Sequence, residues 1–254
     1  MVKRVWASAQ ARQASNVDWA LAARSGRPTT LAFVRLVNGQ ASYAFYDENT
    51  AGRLLSVDDL PALPDAVTAV FFGGISLIND PAASTYAAFM DRASRAGRVT
   101  MIDPNIRAGF VTDAAAYRAR IARMIAMADI VKLSDEDLHW LAGPGDMLSL
   151  ARGILSHGPK IVFVTEGANG AHAITATRAL REPVQPVTVA DTVGAGDTFN
   201  AGVLASLHGA GVLDRSALDG LPDATLQAAL NLGNRAAAIT VSRAGANPPW
   251  AHEL

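Results

Sequence analysis

The stretch Asp191-Thr-Val-Gly-Ala-Gly-Asp197-Thr-Phe-Asn-Ala-Gly202 decides how this chain is read. A short β run at Val187–Val189 leads into it, and an apolar helix near 198–208 leads out. Gly194, Ala195 and Gly196 let the backbone turn sharply and leave its N–H groups uncovered. Those groups stand at a helix N-terminus, where the dipole favours negative charge, so phosphate binds well there. Asp197 is the odd member. A carboxylate beside a phosphate site costs electrostatic energy unless it has chemistry to perform. Taking a proton from a hydroxyl that attacks a γ-phosphate is such chemistry. A plainer reading stands beside this one: Asp197 caps the helix and the glycines only make a tight turn.

Upstream of this segment, short buried-type strands alternate with amphipathic helices. The strands are Val67–Phe72, Arg98–Ile102, Ile130–Leu133 and Ile161–Thr165. Helices are expected near 81–96, 113–127, 134–141 and 147–156, with a last long one near 224–242. Asp80-Pro81 reads as an N-cap followed by proline at the first helical position. Such alternation predicts βαβ units and a parallel sheet covered on both faces, an α/β fold. Before Pro61 the pattern differs. Thr29–Leu36 and Ala41–Tyr46 flank Asn38-Gly39, a strong hairpin signal. The expected organisation is an irregular segment over 1–16, a β segment over 17–60, and an α/β core over 61–254.

Composition narrows the function. Half of the 254 residues are apolar, 18% are charged, and the formal net charge is −1. That balance suits one compact domain, or one domain with a small appendage, and it offers no field to hold nucleic acid or an anionic membrane. The chain has no cysteine, which excludes disulfides, thiolate metal sites and cysteine nucleophiles. No apolar run reaches the roughly 20 residues of a spanning helix, and the apolar stretch after the basic start is too short for a signal peptide. A cytoplasmic location is therefore expected. The five histidines form no spaced cluster, and there is neither an H-E-x-x-H nor a Walker loop.

Four further segments carry candidate residues. Asp103-Pro-Asn-Ile-Arg107 follows a buried strand, and ligands bind at the carboxyl ends of parallel strands. Arg107 offers a forked donor set to phosphate; a surface turn built on Asp-Pro-Asn is the alternative. Lys132-Leu-Ser-Asp-Glu-Asp137 also ends a strand, and Ser134 with Asp137 reads as a capping box. In Thr165-Glu-Gly-Ala-Asn-Gly170 the glycines suit either a hairpin turn or a close approach to a ligand. The last helix carries Asn231 and Asn234 in an alanine-rich run that suits close packing.

The Asp191–Asp197 segment resembles the C-terminal signature of the ribokinase–fructokinase (phosphofructokinase-B type) family of carbohydrate kinases. The hairpin segments and Phe72-Gly-Gly-Ile-Ser-Leu are similar to bacterial fructokinases in particular. The resemblance implies a ribokinase-like three-layer α/β/α fold with a mostly parallel sheet and a small β-hairpin lid. It implies ATP-dependent phosphorylation of a sugar hydroxyl, with Asp197 as catalytic base and the amides of Gly194, Ala195 and Gly196 as an anion hole. It further implies Asp103, Asn105 and Arg107 at the substrate, and Lys132, Thr165, Gly167, Gly170 and Asn234 at ATP. Magnesium is expected with ATP, with Asp137 as its candidate ligand, although the family's N-x-x-E element is here Ser134 and Asp137. Potassium is expected at Asp191 and Val193. The family's lid often pairs between subunits, so a homodimer through the hairpin is expected, since an open apolar hairpin face invites association.

The resemblance runs from about Val17 to Pro249. Family members begin earlier, with roughly two more βα units that hold much of the sugar site. Little sugar kinase activity is therefore expected of the 254 residues alone. A non-catalytic nucleotide-binding relative of such kinases is the rival reading. A dinucleotide-binding dehydrogenase lacks its G-x-G-x-x-G after the first strand.

Overall fold

The computed structural model describes residues 15, 17–37 and 40–254. The chain separates into two units, one ending at Leu63 and one running from Pro64 to Leu254.

In the first unit, β1 (Leu31–Val37) and β2 (Gln40–Tyr46) pair antiparallel, with Leu31 opposite Tyr46 and Phe33 opposite Ala44. The expected hairpin is present; its Asn38-Gly39 turn lies outside the described residues, as does the irregular 1–16 segment apart from Ser15. The rings of Phe33 and Tyr46 meet edge-on with centroids 5.5 Å apart, and both are exposed. Beyond β2, buried Thr50 donates its hydroxyl to the Asp47 carbonyl at 2.8 Å, and Arg53 pairs with the Asp47 carboxylate at 2.9 Å.

The second unit is a six-stranded sheet in the order β3-β4-β5-β6-β7-β8. The strands are β3 (Ala69–Gly73), β4 (Val99–Asp103), β5 (Ile130–Ser134), β6 (Ile161–Thr165), β7 (Ala171–Ile174) and β8 (Ala179–Glu182). The first four run parallel, β7 pairs antiparallel with β6, and β8 pairs antiparallel with β7. The helices are α1 (Ala82–Arg95), α2 (Ala114–Met127), α3 (Asp135–Ala142), α4 (Met147–Leu155), α5 (Ala195–Gly209) and α6 (Asp223–Val241). This is the three-layer arrangement expected from the alternation of short apolar runs and amphipathic segments.

Strand parity divides the core. Ile102, Val131, Leu133, Val162 and Val164 face one layer, where they pack with Met90, Tyr117, Ile121, Leu138 and Ile154 of α1 to α4. Val99, Met101, Ile130, Ile161 and Phe163 face the other, against Phe199, Val203, Leu226 and Leu230 of α5 and α6. Side chains alternate between the faces of a sheet, so residues 99, 101 and 103 point one way. Asp103, at the carboxyl end of β4, and Lys132, beside it in β5, therefore both look toward α5.

Helices α5 and α6 cross backbone to backbone. A β-carbon on Gly202 would stand 2.8 Å from the Gly233 α-carbon, and one on Gly233 would stand 2.8 Å from the Phe199 ring. Among the described residues no helix is long and apolar enough to cross a membrane.

Three expectations need correction. Val187–Val189 is irregular, and the strand lies earlier, at β8. Pro183 and Pro186 lack the N–H a ladder requires, so pairing stops at Glu182. Helix α5 begins at Ala195, about three residues earlier than expected, because left-handed Gly194 completes the turn. Helix α1 begins at Ala82 with Pro81 as its cap residue, one position later than the motif suggests. The Asp80 carboxylate still accepts the Ser84 N–H, at 3.0 Å.

Candidate active site

The turn before α5 is assembled from its smallest residues. Gly194 takes φ 84°, ψ 0°, a conformation open to glycine, and no side chain caps the helix that follows. Instead Thr198 turns back, its N–H and hydroxyl reaching the Gly194 carbonyl at 2.9 and 2.7 Å. Thr240 of α6 donates to the Thr198 hydroxyl at 3.1 Å and fixes this corner from behind. The first-turn amides thus face outward with the helix dipole and without a side-chain cap, although Ala195 N–H leans on the Thr192 carbonyl at 3.3 Å. Asp197 is exposed in that same first turn.

Asp191 ties the turn to the loop after α6. Its Oδ1 accepts the Val193 N–H at 3.0 Å and its Oδ2 the Gly245 N–H at 2.9 Å. These bonds, Val193 first, hold its carboxyl below the usual carboxylate range. Ala246 closes against Gly194 from the same loop, 3.1 Å from where a β-carbon would lie.

Beneath the turn lies a buried polar cluster. Lys132 Nζ donates to Asp103 Oδ2 at 3.1 Å, with side chains only 5% and 1% exposed. Asn200 Nδ2 donates to the same oxygen at 2.7 Å, and the Asn105 N–H reaches Asp103 Oδ1 at 3.1 Å. The Lys132 ammonium also abuts α5, 3.2 Å from the β-carbon position of Gly196. Asp103 was expected at the substrate; the fold instead buries it as the counter-ion of Lys132, since a buried cation must be paired.

The loop after β4 is held from two sides. Asp137 accepts the Ile106 N–H at 2.9 Å and the Ser134 N–H at 3.4 Å, and its own N–H goes to Ser134 Oγ at 3.0 Å. The capping box read from the sequence is therefore present, and its carboxylate doubles as a latch on residues 103–107. Burial first, and then the charge of Asp103, push the Asp137 carboxyl up. Both its oxygens accept from backbone donors. Arg107 folds back, its Nη1 donating to the Ile106 carbonyl at 3.2 Å and the Asn105 carbonyl at 3.4 Å. Asn105 takes a positive φ of 44° to make the bend.

The remaining candidates gather around the ends of β6 and β8. Thr165 lies beside Ser134 in register. Gly170, at φ 100°, lets the loop approach β8 so closely that a β-carbon would stand 2.2 Å from the Glu182 carbonyl. Gly167, at φ 53°, has open space around it. Asn234 was expected at the nucleotide; it is buried and donates to the carbonyls of Glu182 and Pro183 at 3.0 and 3.5 Å. It clasps the segment after β8, as Asn231 clasps the Glu182 carboxylate at 2.9 Å. Asn200 was not anticipated. Its signal was a polar residue inside the apolar run Thr198–Gly202.

The family profile described as pfkB family carbohydrate kinase matches residues 9–253. The chain belongs to the pfkB family of carbohydrate kinases. A fructokinase of Rhizobium leguminosarum bv. trifolii is 52% identical to this pfkB-family chain over 215 residues, covering 85% of the chain and 66% of the relative. A Klebsiella pneumoniae fructokinase is 34% identical over 71% of the chain and 59% of its own length. The chain thus spans about two thirds or less of the length of these relatives. A Salmonella thompson fructokinase is 35% identical, with 71% and 82% covered. Among solved structures, Xylella fastidiosa fructokinase with bound ATP superposes with a TM-score of 0.77 at 27% identity, covering 88% of the chain and 70% of that structure. A double mutant of Vibrio cholerae fructokinase, bound to fructose, ADP and potassium, gives 0.78 at 25% identity, with 94% and 75% covered. The pfkB-family fold is therefore ribokinase-like, as the strand pattern implied.

Proposed function

We propose that the chain catalyses ATP-dependent phosphorylation of a sugar hydroxyl, with fructose the first acceptor to try. One observation carries this reading. An exposed carboxylate, Asp197, stands in the uncapped first turn of α5, next to Gly196, whose β-carbon position lies 3.2 Å from the buried Lys132 ammonium. A carboxylate in that field has a reason to be there if it accepts a proton.

In the proposed step, Asp197 takes the proton of the sugar hydroxyl as its oxygen attacks the γ-phosphorus. The bond from phosphorus to the β–γ bridging oxygen breaks, and ADP leaves with that electron pair. The amides of Gly194, Ala195 and Gly196 receive the charge on the transferring group. Lys132 supplies a cation below it. Asn105 and Arg107 border the acceptor side, while Asp103 acts from beneath through Lys132. Thr165, Gly167 and Gly170 border the nucleotide, and Asn234 holds that wall in place.

Magnesium would arrive with the nucleotide. Among the described residues no three acidic or histidine side chains gather to hold a metal, and this ion is commonly held through substrate phosphates. Potassium would sit at Asp191 and the Val193 backbone, adding positive charge near the anion hole. The exposed Leu31, Phe33 and Tyr46 of the hairpin support a homodimer formed through that face.

The test is calorimetry with magnesium-ATP, followed by ADP release measured across a panel of sugars. The reading expects nucleotide binding by this chain, and ADP release dependent on fructose or a close relative once the sugar-site elements that its relatives carry are present. Absence of binding at millimolar nucleotide would contradict it.

A further inference from the structure

The cluster beneath the anion hole holds an atom that nothing yet explains. Asn200 is only 2% exposed, and its Oδ1 is buried without a hydrogen-bond partner. A buried acceptor left unpaired is expensive, and such cases in folded proteins call for a reason. Its amide nitrogen is fully purposeful by contrast, donating to Asp103 Oδ2 at 2.7 Å. Lys132 donates to that same oxygen at 3.1 Å.

The arithmetic of donors is informative. Asp103 is an acceptor with both oxygens occupied, Oδ1 by Asn105 N–H and Oδ2 by Lys132 and Asn200. An ammonium has three donors, and one is spent on Asp103. The amide of Asn200 shares the Asp103 oxygen and so limits how deeply the carboxylate can draw the ammonium in. Gly196, with no side chain, leaves the ammonium against the first turn of α5.

We infer that Asn200 is a positioning residue that fixes the Lys132 ammonium beneath the first turn of α5, poised for the phosphates of the nucleotide. Asn200 and Lys132 donate to the same oxygen of Asp103, so the amide holds the carboxylate to which the ammonium is anchored and acts on the lysine through it. This rests on the proposed function. It goes beyond it by assigning a residue outside the Asp191–Asp197 signature to nucleotide charge compensation.

The test compares Asn200→Ala, Lys132→Met and the double variant with the unaltered chain, titrated with magnesium-ATP and with adenosine. Adenosine carries no phosphate, so it reads the nucleoside wall alone. The inference expects Asn200→Ala to weaken magnesium-ATP about tenfold and leave adenosine unchanged. It expects the double variant to bind magnesium-ATP no worse than Lys132→Met, because the asparagine acts through the lysine. Asn200→Ser, which keeps a donor to Asp103, should recover part of the loss. Equal weakening of both ligands, or fully additive losses in the double variant, would overturn it and leave the proposed function standing. Failure of the unaltered chain to bind either ligand would overturn both.

Discussion

The ammonium of Lys132 lies 3.2 Å from the point where a β-carbon on Gly196 would stand. That closeness predicts a separation of stability from function. Gly196→Ala places a good helix former in the first turn, worth up to about 1 kcal/mol, while its methyl group presses on the ammonium. Thermal unfolding should stay within a few degrees of the unaltered protein. Binding of magnesium-ATP should weaken several-fold, read by calorimetry. Unchanged nucleotide binding would show that the contact is incidental.

The Lys132–Asp103 pair is buried on both sides, so breaking it should be costly. Lys132→Met leaves the Asp103 carboxylate inside the fold with amide donors alone. A loss of about 3–5 kcal/mol is expected in urea unfolding, as for other buried pairs stripped of one partner. Lys132→Arg should restore only part of it, because a planar fork does not replace a compact ammonium at a closely approached site.

The crossing of α5 and α6 is limited by two glycines. Gly202→Ala sets a methyl group 2.8 Å from the Gly233 backbone, where nothing flexible can yield. Overpacking of this kind costs about 1–3 kcal/mol. The shift should pass to the 194–197 turn, which Thr240 of α6 supports through Thr198. Lower stability together with weaker nucleotide binding is the expected pair of results.

Asp137 and Asp191 should respond to pH with opposite sign. The fold raises the Asp137 carboxyl, chiefly by burial. The stability it lends is full below the unfolded value of about 3.9 and is lost as pH rises through the folded value. The fold lowers the Asp191 carboxyl through backbone N–H bonds. Its contribution is present above about 3.9 and is lost as pH falls through the folded value. Unfolding free energies measured over a pH series should show this. The unaltered protein should lose ground to Asp137→Asn as pH rises, and to Asp191→Asn as pH falls. Slopes of the same sign would contradict the assignment.

Much of this was legible in the sequence, for physical reasons. Strands such as Ile161–Thr165 are buried on both faces, so they read as short apolar runs with no helical period. The Ser134–Asp137 capping box declared itself by spacing. What stayed hidden depends on relations between strands and helices. Asp103 and Lys132 are 29 residues apart, and only the register of β4 on β5 makes them partners. Asn200 meets Asp103 because of the rotation of α5 about its axis, which the Gly194 turn sets. The edge strand β8, Ala-Leu-Arg-Glu, is half-exposed and ends in two charged residues, so it did not stand out beside the β-branched run Val187–Val189.

Asp197 is proposed as the base that takes the proton of the sugar hydroxyl. The most direct measurement is sugar-dependent ADP release by the active protein and by Asp197→Asn, with magnesium-ATP affinity measured on both. Asparagine keeps the shape of the turn and the amides around it but cannot take a proton. Turnover should fall by roughly 10²–10⁴-fold, the usual contribution of a positioned acid or base, while nucleotide affinity stays within a few-fold. Near-normal turnover in Asp197→Asn would contradict the account.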